Sequence, residues 1–238
     1  MRKYIVGNWK ANKTEQEVRT WMKELTSSGV LPQTSDRLEV LVAPSFLYLQ
    51  LIHELSGDQL ALCTQSISPY GSGAYTGAVS AQQAAQYAQY ALVGHAERRT
   101  YFHETDQIVA EQARQALDAG LTPIIAVDDQ NWGKRLMLFN ADEIKLCIVM
   151  YEPPGAISTS NYGQAAALEE VIEPIVKIRE LLKPKAVFYG GSVSAANVVE
   201  YLGHPDIDGV VPGAASIDYQ HFIELVRAAY AAVPSSTP

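Results

Sequence analysis

An α/β fold closed into a (β/α)8 barrel is what this sequence predicts, and three observations carry the prediction. Short apolar, β-branched runs recur eight times, and helix-like stretches separate them. The length of 238 residues also falls in the range of roughly 200 to 250 over which such barrels extend as one domain. A doubly wound open sheet is the other arrangement of the same pattern.

The strand-like runs lie at 4–6, 38–42, 60–63, 91–93, 123–127, 146–150, 186–188 and 209–211. They are continuously apolar instead of alternating, the pattern of parallel strands buried on both faces. The first helix is expected over 14–27, where Thr14 and Glu17 have the spacing of a capping box. Others follow over 46–55, 81–90 and 105–119, the last stopping at Gly120 as a C′ glycine. Between Asp128 and Lys145 there is room only for a short helix around 132–139, so the unit after the fifth strand is abbreviated. Over 164–182 Leu168, Val171, Ile172 and Ile175 keep helical spacing, with Pro174 expected to kink or restart the helix. Helices over 195–202 and 219–231 complete the series, and 233–238 is expected to be a loose tail. No composition shift or linker divides the chain, so residues 1–238 are expected to form a single barrel domain.

Composition narrows the function classes. Eighteen Lys and Arg against 26 Asp and Glu leave a net charge of −8 with no basic stripe, which argues against a nucleic-acid partner. No apolar window is long enough for a membrane span, and the start MRKYIVGNWK lacks a signal peptide, so a cytoplasmic protein is expected. Cys63 and Cys147 are too few for a disulfide framework and lack zinc-site spacing. Cys147 is read as a small buried hydrophobe within the sixth strand. No metal or cofactor is expected.

Active residues in a (β/α)8 barrel lie at the C-terminal ends of the strands. The first strand leads to Asn8 and Lys10 in Gly-Asn-Trp-Lys, alone no more specific than a solvated lysine. The fourth runs into Gly94-His95-Ala96-Glu97-Arg98-Arg99, where a histidine before a helix can stay neutral and donate to a carbonyl. His53, His103, His204 and His221 read as surface residues. The sixth strand is followed by Glu152-Pro153-Pro154-Gly155, a carboxylate at a stiff hinge beneath a movable segment, or else an ordinary proline-stiffened loop. The seventh and eighth strands lead to Gly190-Gly191-Ser192 and Gly213-Ala214; small residues in these two loops favour a phosphate site built from backbone N–H groups.

With these segments in view, the chain resembles the triosephosphate isomerase family. GNWK at 7–10, SPYGSGAYTG at 68–77, GHAERR at 94–99, ETD at 104–106, AGLTPI at 119–124, YEP at 151–153, YGGSV at 189–193 and PDIDGV at 205–210 match in order, over nearly the whole chain. The resemblance implies the TIM-barrel fold and cofactor-free interconversion of dihydroxyacetone phosphate and D-glyceraldehyde 3-phosphate through an enediolate, in glycolysis and gluconeogenesis. Carried over residue by residue, Glu152 would move the proton and His95 would polarise the carbonyl as a neutral imidazole. Lys10 and Asn8 would stabilise the oxyanion, with Glu97 in support or as a relay. Backbone amides near Ser158, Ser192, Gly213 and Ala214 would hold the phosphate of a small phosphorylated triose. The glycine-rich segment 67–78, with Tyr70, Tyr75 and Thr76, has a family counterpart that inserts beside the first loop of a second subunit. A homodimer is therefore expected, with a tetramer left open.

The departures from the family pattern are local. The lid has Pro153-Pro154-Gly155 and Ser158-Thr159-Ser160-Asn161 where the family carries Pro-Val-Trp and Gly-Thr-Gly-Lys, which predicts less stable closure and slower turnover. Asp128 stands where the family has glycine, and Pro212 and Ala214 replace valine and glycine. A barrel that binds a phosphorylated ligand without turnover is the alternative function. The full set Asn8, Lys10, His95 and Glu152 argues against it.

Overall fold

The computed structural model describes residues 2–31, 37–153 and 166–233. Within them eight parallel strands close into a barrel in chain order: β1 (Lys3–Asn8), β2 (Leu38–Ala43), β3 (Ala61–Thr64), β4 (Tyr90–Val93), β5 (Thr122–Val127), β6 (Ile148–Tyr151), β7 (Ala186–Tyr189) and β8 (Gly209–Val210). The predicted barrel is the observed one, and the open sheet is excluded because β8 pairs with β1, Tyr4 opposite Gly209 and Ile5 opposite Val210. The seam is tight: a Cβ on Gly209 would lie 2.7 Å from the Phe188 ring and 2.8 Å from Tyr4 Cβ.

Successive side chains point to opposite faces of each strand, which sorts the apolar runs into two layers. Val6, Leu41, Cys63, Leu92, Ile124, Ile148, Met150 and Phe188 belong to one buried cluster, which fills the barrel. Their neighbours Ile5, Val42, Leu62, Val93, Ile125, Val149 and Val187 belong to the larger cluster packed under the helices. Burial on both faces is why the strands read as continuously apolar.

The helices mostly begin where the sequence provides a cap. α1 (Glu15–Ser27) is capped by Thr14, and the Glu17 carboxylate accepts from the Thr14 N–H at 2.7 Å. A 3-10 turn at Phe46–Tyr48 precedes α2 (Leu49–Ser56). α3 (Ala81–Ala84) stops well short of the expected 81–90. The sheet claims the remainder: the Gln89 N–H donates to the Leu62 carbonyl and its carbonyl accepts from the Thr122 N–H, both at 2.9 Å. α4 (Ala96–Phe102) is followed by α5 (Asp106–Asp118), capped by Thr105 and left through Gly120 at φ +79°.

The abbreviated unit holds two short helices instead of one, α6 (Trp132–Leu136) and α7 (Ala141–Leu146). Asn140 and Glu143 form a capping box the sequence reading overlooked. Leu146 therefore ends a helix, exposed, and Cys147 is its C-cap instead of a strand residue. Cys147 is nevertheless buried as expected, and burial pushes its thiol and that of Cys63 up to about 12. α8 (Leu168–Leu182) runs through Pro174 without restarting. The proline leaves the Glu170 carbonyl without its helical donor, and Glu170 is exposed, so water can replace that donor. α9 (Val198–Gly203), α10 (Ala214–Ile217) and α11 (Tyr219–Ala232) follow. Among the described residues no helix is long and apolar enough to cross a membrane.

Candidate functional site

The pleat of the strands carries the site residues to the barrel mouth. Asn8 continues the inward series of Val6, Gln65 that of Cys63, Asp128 that of Ile124 and Ala126, and Glu152 that of Ile148 and Met150. His95 arrives by a different route. Gly94 adopts φ +70°, which breaks the alternation after β4, and a Cβ there would lie 2.8 Å from Val109 Cγ1.

His95 is the N-cap residue of α4. Its Nδ1 accepts a hydrogen bond from the Glu97 N–H at 3.2 Å, so the neutral ring carries its proton on Nε2. That nitrogen is 3.2 Å from Glu152 Oε1. The other carboxylate oxygen, Oε2, accepts from the Ala96 N–H at 3.0 Å and lies 3.4 Å from Arg99 Nη2. Glu152 is only 2% exposed, and burial pushes its carboxyl above the usual carboxylate range. His95, Arg99 and the Ala96 N–H offset that rise in part. A buried carboxylate made more basic by its surroundings, next to a ring whose proton is fixed on the nitrogen that faces it, is chemically a proton acceptor paired with a neutral donor.

Lys10 lies on the opposite side of the mouth, at φ +51°. Its N–H donates to Asn8 Oδ1 at 3.1 Å, and its carbonyl accepts from Gln65 Nε2 at 2.8 Å. These bonds fix a backbone conformation that a side-chain-bearing residue rarely adopts. Lys10 Nζ donates to Glu97 Oε1 at 2.6 Å. A cavity of about 210 Å³ opens here, lined by Asn8, Lys10, Gln65, His95, Glu97 and Arg98 among others. Glu152 does not line it, being held behind His95.

The loops after β7 and β8 complete the mouth. The Ser192 carbonyl accepts from Asn197 Nδ2 at 3.1 Å, and the Pro212 carbonyl accepts from the Asn8 N–H at 2.9 Å. Gly213 sits at φ −91° and Ala214 opens α10, so alanine at 214 imposes no left-handed strain. Ser158 and the lid residues 154–161 lie outside the described residues.

Asn8, Lys10, His95, Glu97 and Glu152 are thus brought together. Two residues went unassigned in the sequence reading. Gln65 is an ordinary polar residue after a strand, and nothing in the sequence reveals that it braces Lys10. Arg99 stands one helical turn after His95, a spacing that could have singled it out. Among the described residues no group of three or more side chains is placed to hold a metal ion.

The sequence profile of the triosephosphate isomerase family matches residues 3–229. A triosephosphate isomerase of Mycobacterium tuberculosis is 38% identical over 251 aligned positions, covering 94% of this chain and 95% of its own length. That of Mycoplasmopsis pulmonis is 34% identical, covering 93% of this chain and 96% of its own length. In three dimensions, the crystal structure of triosephosphate isomerase from Bartonella henselae matches with a TM-score of 0.79 at 25% identity, over 96% of this chain and 99% of that one.

Proposed function

This chain belongs to the triosephosphate isomerase family, and from that premise we propose how its residues divide the interconversion of dihydroxyacetone phosphate and D-glyceraldehyde 3-phosphate. Glu152 removes the proton beside the carbonyl and returns it to the neighbouring carbon. Neutral His95 donates from Nε2 to the carbonyl oxygen as the enediolate forms. The pairing of a carboxylate base with a neutral histidine is the established one for this family. Lys10 and Asn8 stabilise the developing oxyanion, and Glu97 holds the Lys10 ammonium until substrate enters. Backbone N–H groups of Ser192, Gly213 and Ala214, with Ser158, hold the phosphate dianion. No cofactor takes part.

The observation that carries this reading is the 3.2 Å approach of His95 Nε2 to Glu152 Oε1, with Nδ1 occupied by the Glu97 N–H. A coupled assay for glyceraldehyde 3-phosphate isomerisation tests it. Glu152→Asp and Lys10→Ala should each cost on the order of 10²-fold or more in kcat/KM. Activity indifferent to both would remove these residues from the mechanism and revive the phosphate-binding alternative.

A single barrel domain in the cytoplasm, serving glycolysis and gluconeogenesis as a homodimer, is the fuller biological reading. The dimer is supported by apolar side chains left in solvent after three successive strands: Leu47 at 81% exposure, Tyr70 stacked on Tyr75 with centroids 4.6 Å apart, and Phe102 at 63%. Exposed apolar side chains concentrated in the loops at one end of a barrel are what an interface would cover. Sedimentation at micromolar concentration should give a dimer or tetramer, and a monomer would sink the argument.

A further inference from the structure

Asp128 touches no part of the cavity, yet it is tied to the candidate base through one guanidinium. Arg99 Nη1 meets Asp128 Oδ2 at 2.5 Å, Arg99 Nη2 stands 3.4 Å from Glu152 Oε2, and Arg99 Nε donates to the Gly94 carbonyl at 3.0 Å. The fork is therefore shared unequally between two carboxylates. Asp128 cannot follow Arg99 if it moves, because Asp128 Oδ1 accepts from the N–H groups of Gln130 and Asn131 at 2.9 and 3.1 Å. Its own N–H donates to Asn131 Oδ1 at 3.0 Å, and its carbonyl accepts from the Trp132 N–H at 3.0 Å. The turn that leads into α6 thus anchors the carboxylate that holds Arg99.

Among the described residues, the charged and polar groups that face Glu152 are His95 Nε2, the Ala96 N–H and Arg99. Arg135 lies beyond them, its Nη1 3.3 Å from the Gly94 carbonyl, and the neighbouring Asp129 accepts from the Tyr151 hydroxyl at 2.6 Å. Arg99 is the cation that touches Glu152 among the described residues. A guanidinium free to close on a buried carboxylate would form a bidentate pair, which both weakens the carboxylate as a base and holds it in place.

We propose that Asp128 is a positioning residue for the proton-abstracting carboxylate: by keeping Arg99 on the α6 turn it prevents that bidentate pair and leaves Glu152 basic and able to move toward substrate. The proposal rests on the reading of Glu152 as the base.

The test is the pH dependence of kcat and kcat/KM for Asp128→Asn, which preserves the shape and the backbone contacts but releases Arg99. The acidic limb of kcat/KM should move down by about half a pH unit or more as Arg99 closes on Glu152. On the plateau kcat should fall about three- to tenfold, with KM held within about twofold. Asp128→Glu should return both toward the parent values. In an Arg99→Met background the Asp128→Asn change should have no further effect on the limb, which a merely structural role would not produce. If Arg99→Met does not fold, recovery by Asp128→Glu decides the matter alone. A limb unmoved in folded Asp128→Asn, or moved equally with and without Arg99, overturns the proposal. Glu152→Gln is measured alongside. Undiminished turnover there removes the base assignment and this inference together, whereas inactive Glu152→Gln beside an unmoved Asp128→Asn limb removes this inference only.

Discussion

Gly190 is the position at which packing and chemistry can be perturbed together. Its φ lies outside the left-handed region, so Gly190→Ala adds a methyl without backbone strain. The new Cβ would lie 2.8 Å from Met150 Sδ, 2.9 Å from Met150 Cγ and 3.2 Å from Glu152 Cγ. Heavy-atom contacts settle at about 3.5 to 4.0 Å, so Met150 must retreat by about 0.7 Å and Glu152 by at least about 0.3 Å. Met150 is wholly buried among the side chains that fill the barrel interior. Overpacking of this kind costs about 1 to 3 kcal/mol. For a chain of this length that lowers Tm by about 2 to 12 °C. Misplacing a reacting group by 1 Å costs about 10²-fold in rate, so a shift of 0.3 to 0.5 Å at Glu152 should reduce kcat about three- to tenfold. Steady-state kinetics should show the loss in kcat with KM nearly constant, and calorimetry should show the fall in Tm. Met150→Val in the same chain should recover part of both, because it vacates the volume the methyl needs. Parental kcat together with parental Tm would refute the inference that Gly190 is small in order to seat Glu152.

Other expectations follow from the same contacts. Because burial raises the Glu152 carboxyl, the acidic limb of the kcat/KM profile should lie above the ordinary glutamate value of about 4.3, and a limb at or below it would contradict the site geometry. The sign for stability follows too: a raised folded value means stability from this group is present below the unfolded value and is lost as pH rises through the folded one. Glu152→Gln should remove that slope, and equal slopes of unfolding free energy against pH in the two proteins would count against it. Arg135, 1% exposed, donates to Asp106 at 2.6 and 2.8 Å and to the Ala126 carbonyl at 2.5 Å. Arg135→Ala should cost about 3 to 5 kcal/mol by denaturant melts and Arg135→Met less, since methionine refills the volume while Asp106 can reach water; no cost in either would refute the pairing argument. Thr14→Ala should cost about 1 kcal/mol by losing the α1 cap, and an unchanged melting curve would show that the cap contributes nothing.

The alternative of a barrel that binds without turnover rested on an impaired lid and left no reason to retain the complete set of site residues. Asn8, Lys10, His95 and Glu152 instead meet at one mouth, and relatives matching more than nine-tenths of the chain are named isomerases. The altered lid, outside the described residues, still carries its expectation of slower turnover.

Most of the barrel was determined by residues acting locally. Apolar runs place all eight strands, Thr14 with Glu17 starts α1, and Gly120 ends the segment after α5. Strand order then puts Asn8, His95 and Glu152 at one end, because residues that follow parallel barrel strands share a mouth whatever their separation along the chain. Tertiary structure decided what depends on partners distant in sequence. α3 is short because Gln89 joins the sheet, and Pro174 is tolerated because the carbonyl it frees is on an exposed residue. The His95 tautomer is set by the Glu97 N–H two residues on, but only the barrel brings its Nε2 within 3.2 Å of Glu152. Asp128, only an unexpected charge in the sequence, becomes one of two carboxylates that share the Arg99 guanidinium, the other being Glu152, since that depends on where the guanidinium lies in space. Local propensity and periodicity are written in neighbouring residues. The burial of Glu152 and the ion pairs shared through Arg99 depend on distances of a few ångströms between residues dozens of positions apart, and only the closed barrel sets those.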